Sequence, residues 1–336
     1  MKIIRTDMEL ETPLIDQTLS ALGHELVLLP DNVTEDKLCE AITDCDILLM
    51  CYTPITKRII NSAKKLKGIV KYGVGIDAID IPAANAQGVV VVNIPEYAEE
   101  TVAEGAFAML MALAKKLPAI QNEMRRDGWA WPNSDWLGLD LAEKTMGIVG
   151  CGKIGKSMAR MAGKGFRMRV VGYDPYKGKE ELDSHGIEKF DDLKSMLKAC
   201  DFISLHTVLN EETKHLIGRE ELSVLRETAI IVNSARGALI DELALLEALE
   251  SNHIMGAGLD VFSLEPLNRA SHPLRKLYQM ENVILFPHLT FYTKEAMGRL
   301  EEEVLERCLE IIENRPVTIK SSDQRLQNQD RLHTSY

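Results

Sequence analysis

The sequence predicts an α/β protein with parallel sheets covered by helices. Three observations predict it. Short apolar runs alternate with helical patterns along most of the chain, the signature of parallel strands joined by crossover helices. At 336 residues the chain has room for two domains of ordinary size. A glycine-rich turn, Gly150-x-Gly152-x-x-Gly155, opens a second strand–helix series after an interruption.

In the first third, strands are predicted at Lys2–Arg5, Glu25–Leu29, Ile47–Cys51, Gly68–Lys71 and Val89–Val92, with helical stretches such as Glu35–Thr43 between them. A long helix follows over roughly Thr101–Lys116, rich in the helix formers Ala, Leu and Met. Its apolar character predicts burial between domains, and Pro118 marks its end. The segment Gln121–Glu143 breaks the rhythm and carries all three tryptophans, Trp129, Trp131 and Trp136. Such a segment is either a loop folded on its own domain or, the favoured reading, an arm near residues 118–144 that packs on a second subunit, because large aromatics are enriched at interfaces. The second series has strands at Met146–Val149, Arg169–Tyr173, Phe202–His206, Ile230–Asn233, Ile254–Leu259 and Val283–Phe286, six in all, the number in a complete dinucleotide-binding sheet. A helix near Lys294–Glu313 leads out of the series, and the polar tail, residues 321–336, is expected to be disordered.

Composition bounds the function. The chain is 46% hydrophobic and 27% charged, ordinary for a globular protein. Its net charge of −12 disfavours nonspecific nucleic-acid binding and anionic membranes, without excluding a local basic pocket. No run approaches the ~20 apolar residues of a membrane span. The N-terminus lacks the apolar stretch of a signal peptide, so the cytoplasm is the expected compartment. The cysteines, Cys39, Cys45, Cys51, Cys151, Cys200 and Cys308, make no C-x-x-C pair and read as buried free thiols, with no metal site.

The glycine turn follows an apolar strand and precedes a helix, the context that a dinucleotide-binding turn requires. Gly150 permits the tight turn, Gly152 lets the backbone approach a pyrophosphate, and Gly155 allows close packing of helix on strand. The N–H groups of the helix start then face the phosphates. Asp174 ends the second strand of the unit, the place of a ribose-binding acid. A carboxylate there accepts from a 2′-OH and repels a 2′-phosphate, which predicts NAD over NADP, although Lys177 is near in sequence.

Three further segments each follow or end a predicted strand: Ile231-Val-Asn-Ser-Ala-Arg236-Gly237, Gly258-Leu-Asp260-Val-Phe-Ser-Leu-Glu265-Pro266, and Leu285-Phe-Pro287-His288. Ligands bind at the carboxyl ends of strands in such sheets, so an Arg, an Asp, a Glu and a His can converge on one crevice.

With these motifs, in this order and spacing, the chain resembles the D-isomer-specific 2-hydroxyacid dehydrogenases, a family that includes glyoxylate, hydroxypyruvate and D-3-phosphoglycerate dehydrogenases. The resemblance covers about residues 1–318, including Lys71-Tyr-Gly-Val-Gly75-Ile-Asp77-Ala-Ile-Asp80, which looks like the family's substrate loop. It implies two Rossmann-like or flavodoxin-like domains: a catalytic domain from residues 1–99 plus 292–320, and an NAD domain, 100–291, inserted into it, with the active site in the cleft. The tryptophan-rich segment falls where relatives carry a dimerisation arm, which implies a homodimer.

The resemblance also assigns roles. Arg236 resembles the substrate arginine, whose planar fork can hold a carboxylate and polarise the adjacent carbonyl. His288 resembles the acid/base, since imidazole titrates near neutral pH. Glu265 resembles its partner, which orients the ring and favours its charged form. Backbone amides of Val74 and Gly75 resemble the substrate-carboxylate cradle. Asp260 resembles the residue that contacts the nicotinamide carboxamide. Val74, Thr101, Lys153, Ile154, Thr207, Ser234, Ala235, Arg236 and His288 align with positions that line the cofactor.

Two departures stand out. His206-Thr-Val-Leu-Asn210 has Val208 where relatives often have proline, and the segment after His288 reads Leu289-Thr290-Phe291-Tyr292 where many relatives have small residues. Either the pocket is reshaped for an unusual substrate or the rings point into the domain junction. The expected reaction is reversible hydride transfer between NAD(H) and C2 of a small 2-oxo or D-2-hydroxy acid. Glyoxylate or hydroxypyruvate leads, because Met50-Cys-Tyr-Thr-Pro-Ile-Thr56 lacks the arginine that phosphoglycerate enzymes often carry there. Phosphoglycerate or phosphite oxidation on the same scaffold, and a non-catalytic NAD(H)-sensing co-repressor, are the alternatives.

Overall fold

The structure, a computed structural model, describes residues 1–329. The chain divides into two compact units, Met1–Ala98 joined by the chain from Thr293 onward, and Glu99–Tyr292.

The first unit alternates β1 (Lys2–Arg5), α1 (Pro13–Ala21), β2 (Glu25–Leu28), α2 (Glu35–Ala41), β3 (Ile47–Met50), α3 (Lys57–Ser62), β4 (Gly68–Lys71), α4 (Ile81–Ala86) and β5 (Val90–Asn93). Parallel pairing in the order β2-β1-β3-β4-β5 gives the flavodoxin-like arrangement. Strands β3 to β5 are buried at every position, which is why they read as unbroken apolar runs rather than alternating ones. Thr34, Thr56 and Asp80 cap the helices that follow them, each side chain accepting a first-turn N–H. Where the strand order reverses, between β1 and β3, buried Asp7 ties the two strand ends together. Its Oδ2 accepts the N–H of Cys51 (2.8 Å) and Tyr52 (3.0 Å), and its Oδ1 accepts the Thr53 hydroxyl (2.8 Å).

The second unit opens with α5 (Glu99–Ala114) and α6 (Leu117–Asp127). It continues through β6 (Thr145–Val149), α7 (Lys153–Arg160), β7 (Arg169–Tyr173), α8 (Lys179–Ser184), β8 (Glu188–Phe190), α9 (Leu193–Ala199), β9 (Phe202–Leu205), α10 (Arg219–Ser223), β10 (Ile230–Asn233), α11 (Glu242–Glu250), β11 (Gly256–Leu259) and β12 (Val283–Leu285). All strands pair in parallel in the order β12-β11-β10-β9-β6-β7-β8, a Rossmann sheet whose reversal lies between β6 and β9. Alternate residues of each strand face two apolar layers. Val149, Ile203 and Ile231 pack with Leu245 and Leu249, while Ile148, Phe202 and Val232 pack with Ala106 and Leu110 of α5.

Three expectations are corrected here. The sheet has seven strands, not six: β8 is a three-residue edge strand, Glu-Lys-Phe, too short and polar to read as one. Pro118 does not stop the helical region but sits in the first turn of α6, where its missing N–H has no acceptor to lose. The break between helices is Lys116, held at φ +56°. The segment from Gln121 is therefore helical to Asp127, and irregularity begins at Gly128. Beyond it Trp131 and Leu137 are 77% and 73% exposed, whereas Leu139 and Leu141 pack on the core of the second unit.

The chain then returns to the first unit as α12 (Lys294–Ile312) and α13 (Gln324–Gln327). Leu300, Val304, Cys308 and Ile311 recur at helical period and are buried as α12 packs on α1 and β4. Glu301 accepts the N–H of Leu14 (2.7 Å) and Ile15 (3.3 Å), capping the first turn of α1 from across the sequence. The expected disorder of the tail fails for Ser321–Gln329. Leu326 is buried, and the Gln329 side chain bonds both the N–H (2.7 Å) and the carbonyl (2.8 Å) of Val91 on the edge strand β5. The remainder of that expectation, residues 330–336, lies outside the described residues.

Candidate active site

The glycine turn lies at the carboxyl end of β6. Gly150 takes φ +88°, and a Cβ there would stand 2.7 Å from the His206 carbonyl carbon and the Thr207 nitrogen, so the turn is pressed against the end of β9. A Cβ on Gly155 would stand 2.2 Å from the Gly150 oxygen, which ties helix and strand together. Gly152, the residue before α7, differs: no described protein atom comes within 4 Å of a Cβ placed there. Open space at the start of a helix whose first N–H groups lack intrahelical acceptors fits a phosphate-bearing ligand.

Asp174 follows β7. Its Oδ2 accepts the Cys151 N–H (2.9 Å) and its Oδ1 the Tyr176 N–H (3.0 Å), so this carboxylate braces the glycine turn. Lys177 lies 3.0 Å from Glu181, which also holds Lys156 at 2.8 Å, and both lysines keep the Glu181 carboxyl below its ordinary value. The cation that could welcome a 2′-phosphate is thus ion-paired, though Glu181 shares its single charge between two lysines. At the end of β9, burial pushes His206 down to about 3, and its Nε2 lies 2.8 Å from the Ser204 hydroxyl. This uncharged imidazole sits beneath the turn of Thr207. Ser234, after β10, has a buried hydroxyl with no hydrogen-bond partner among the described residues, a vacancy in bonding that a bound ligand would fill. These features fit a dinucleotide. Lys153 and Ile154 open α7, and Thr101 is buried in the first turn of α5.

The arginine turn is set by buried Asn233, which accepts the Ala235 N–H (3.0 Å) and donates to the Arg236 carbonyl (2.9 Å). Arg236 itself donates to the Ala235 carbonyl (2.7 Å). Gly237 allows this turn to lie directly on the next one: a Cβ there would fall 2.1 Å from the Phe262 carbonyl carbon. Three residues on, Glu265 accepts the Phe262 N–H at Oε1 (2.9 Å), and its Oε2 lies 2.9 Å from Nδ1 of His288. Burial alone would push the Glu265 carboxyl up. The hydrogen bond and charge of His288, the Phe262 N–H and the charge of Arg236 outweigh burial and hold it below its ordinary value. The structure therefore brings Arg236, Glu265 and His288 together at the carboxyl ends of β10 to β12.

Asp260, at the end of β11, is tied to the histidine turn. It is 1% exposed, and its oxygens accept from Leu289 N–H (2.8 Å) and from the N–H (3.2 Å) and hydroxyl (2.5 Å) of Thr290. The carboxylate is thus committed to the turn that carries His288, an arrangement with no local signal in the sequence. Asn233 and the Gly237 contact were equally invisible there. After the histidine, Phe291 is 7% exposed and Tyr292 47%, the rings meeting edge to face at 6.0 Å. Val74 and Gly75 belong to the first unit, on the turn after β4, where Asn93 donates to the Val74 carbonyl (2.6 Å).

Residues 107–290 match the family model for the D-isomer specific 2-hydroxyacid dehydrogenase NAD binding domain. Among similar curated proteins, a D-3-phosphoglycerate dehydrogenase of Methanocaldococcus jannaschii is 39% identical over 94% of this chain. The chain spans only 59% of that relative's length. A glyoxylate reductase of Korarchaeum cryptofilum is 40% identical over 85% of this chain and 86% of its own. Among solved structures, D-lactate dehydrogenase from Aquifex aeolicus complexed with NAD and lactic acid superposes with a TM-score of 0.83 at 28% identity, covering 93% of this chain and 96% of that one.

Proposed function

The chain belongs to the D-isomer specific 2-hydroxyacid dehydrogenase family, and we propose that it catalyses reversible hydride transfer between NAD(H) and C2 of a small 2-oxo or D-2-hydroxy acid. The observation that carries this reading is the pairing of His288 with Glu265 at 2.9 Å, on turns packed beside that of Arg236. When bound, the nicotinamide supplies the hydride for reduction and takes it up for oxidation. Arg236 binds the substrate carboxylate with its fork and polarises the neighbouring carbonyl. The amides of Val74 and Gly75, on the turn after β4, are proposed as substrate-binding groups. His288, bonded to Glu265 through Nδ1, gives a proton from Nε2 to the C2 oxygen during reduction and takes it back in oxidation. Glu265 stays ionised and balances the imidazolium that proton uptake creates.

Glyoxylate or hydroxypyruvate is the proposed substrate. The glyoxylate reductase that matches over most of both lengths supports it, as does the absence of arginine from residues 50–56. NAD over NADP is supported by the Asp174 carboxylate after β7, beside the glycine turn, and by the ion pair of Lys177 with Glu181. A homodimer through residues 118–144 is proposed from the exposed Trp129, Trp131 and Leu137. Among the described residues no helix is long and apolar enough to cross a membrane, and the six cysteines are free thiols, which supports the reducing cytoplasm.

The test is NADH oxidation by purified protein against glyoxylate, hydroxypyruvate, pyruvate, phenylpyruvate and 3-phosphohydroxypyruvate. Turnover of one of the first two is expected, with a loss on the order of 10³-fold or more in His288→Ala. NADH binding without turnover of any acid would sink the proposal in favour of a regulatory NAD(H)-binding protein. A marked preference for the phosphorylated acid would replace the substrate assignment.

A further inference from the structure

The backbone of His288 is unusual. It takes φ +59°, in the left-handed region that side chains other than glycine seldom enter and that persists only where the surroundings impose it. The surroundings here are one carboxylate and one threonine. His288 N–H donates to the Asp260 carbonyl at 2.7 Å, which anchors the start of the turn. Leu289 N–H donates to Asp260 Oδ1, while Thr290 gives both its N–H and its hydroxyl to Oδ2. Tyr292 N–H closes the turn on the Leu289 carbonyl at 2.9 Å.

Thr290 is itself held from the other side. A Cβ added to Gly105 of α5 would lie 2.9 Å from both Cβ and Cγ2 of Thr290, so the helix backbone is in contact with this side chain and leaves room for it only because residue 105 is glycine. The threonine, 6% exposed, is thus clamped between α5 and the Asp260 carboxylate. The amides of Leu289 and Thr290 give each carboxylate oxygen one donor, and the Thr290 hydroxyl adds a second, shorter bond on Oδ2. The hydroxyl at 2.5 Å fixes one oxygen, and the other is then aimed at the Leu289 N–H.

We propose that Thr290, seated against Gly105 and bonded to Asp260, is a positioning residue that holds the backbone of His288 in the orientation the proton transfer needs. The proposal rests on the reading of His288 as the proton donor.

The experiment compares Thr290→Val, which keeps the branched shape and removes the hydroxyl, with Thr290→Ser, which keeps the hydroxyl. Gly105→Ala, which drives a methyl into Thr290, and His288→Ala complete the set. Steady-state kinetics with the best 2-oxo acid, NADH binding by fluorescence and thermal melts are read for each. Thr290→Val and Gly105→Ala are expected to lower kcat about tenfold, with KM for the acid and the Kd for NADH within about twofold of the parent. Thr290→Ser should recover most of kcat. Parent-like kcat in Thr290→Val, beside an inactive His288→Ala, would overturn the positioning role alone. Loss of NADH binding or of the folded baseline in Thr290→Val that serine does not rescue would make Thr290 merely structural and also overturn it. Turnover persisting in His288→Ala would overturn the reading of the histidine, and the proposal with it.

Discussion

Strand order reverses between β1 and β3 in the first sheet and between β6 and β9 in the second, and at each reversal the chain leaves in opposite directions and opens a crevice. The two crevices are treated in opposite ways. In the second sheet the turn after β6 carries no side chain at Gly150 or Gly152, and the space at Gly152 is bare of protein for 4 Å. In the first sheet Asp7 fills the equivalent place and stitches the end of β1 to residues 51–53 after β3 with three backbone amides and a hydroxyl. Topology supplies the opening in both cases, and the residue at its mouth decides whether a ligand or a carboxylate occupies it.

The comparison can be broken at either mouth. The largest effect is expected from Gly152→Val. Its φ of −74° suits valine and no neighbour obstructs the side chain, so the melting temperature should move by no more than about 3 °C. NADH affinity, read by fluorescence titration, should fall on the order of 100-fold, because the new methyl groups occupy the approach to the phosphates. Unchanged affinity would mean that the open space is not the cofactor's. Asp7→Asn is the converse. It leaves a neutral oxygen for the amides of residues 51–53 and an NH₂ facing the Thr53 hydroxyl, and should cost about 1–2 kcal/mol in urea unfolding, with NADH affinity unaffected. A stable Asp7→Asn protein would show that the stitch is dispensable.

The smallest effect sharpens the picture at the rim of the first crevice. Asp31, after β2, is pushed up to about 6 by burial and by the neighbouring Glu9 carboxylate, with Asp7 adding to it. Its pKa is raised on folding, so the folded chain holds more protons than the unfolded one between about pH 4 and 6. Stability therefore declines as pH rises through that window and is level above it. Asp31→Asn should remove the decline and raise the melting temperature by a few degrees at pH 8 while changing little at pH 4. Parallel pH profiles for the two proteins would contradict this.

Much of this architecture was legible beforehand because buried parallel strands have no polar face to hide: Ile47–Met50 and Ile230–Asn233 announce themselves by apolar content alone. Legibility stopped where a strand is short and lies at an edge, as in Glu188–Phe190, and where one residue type has two meanings. Pro118 reads equally as a helix stop and as a first-turn residue, and only the left-handed Lys116 before it settles which. The glycine turn could be read from spacing because its function depends on side chains that are missing within one short segment. The His288 turn could not, since its form is imposed by contacts of Asp260 and Gly105, both distant in sequence, that no local pattern signals. Sequence supplied the histidine and its glutamate partner; the geometry that aims them came from contacts no local pattern encodes.

The amide of Gln329 has a consequence beyond the tail that it fastens. Strand β5 is the last in its sheet, and an unpaired β edge is a template on which another chain can grow. By meeting both the N–H and the carbonyl of Val91, one glutamine side chain imitates one residue of a further strand and ends the series there. A protease cut or a shortened gene product that removed residue 329 would leave the turns of Arg236 and His288 in the second unit intact and expose a polymerisation front on the first. The few residues after α12 thus guard the protein's colloidal behaviour rather than its chemistry.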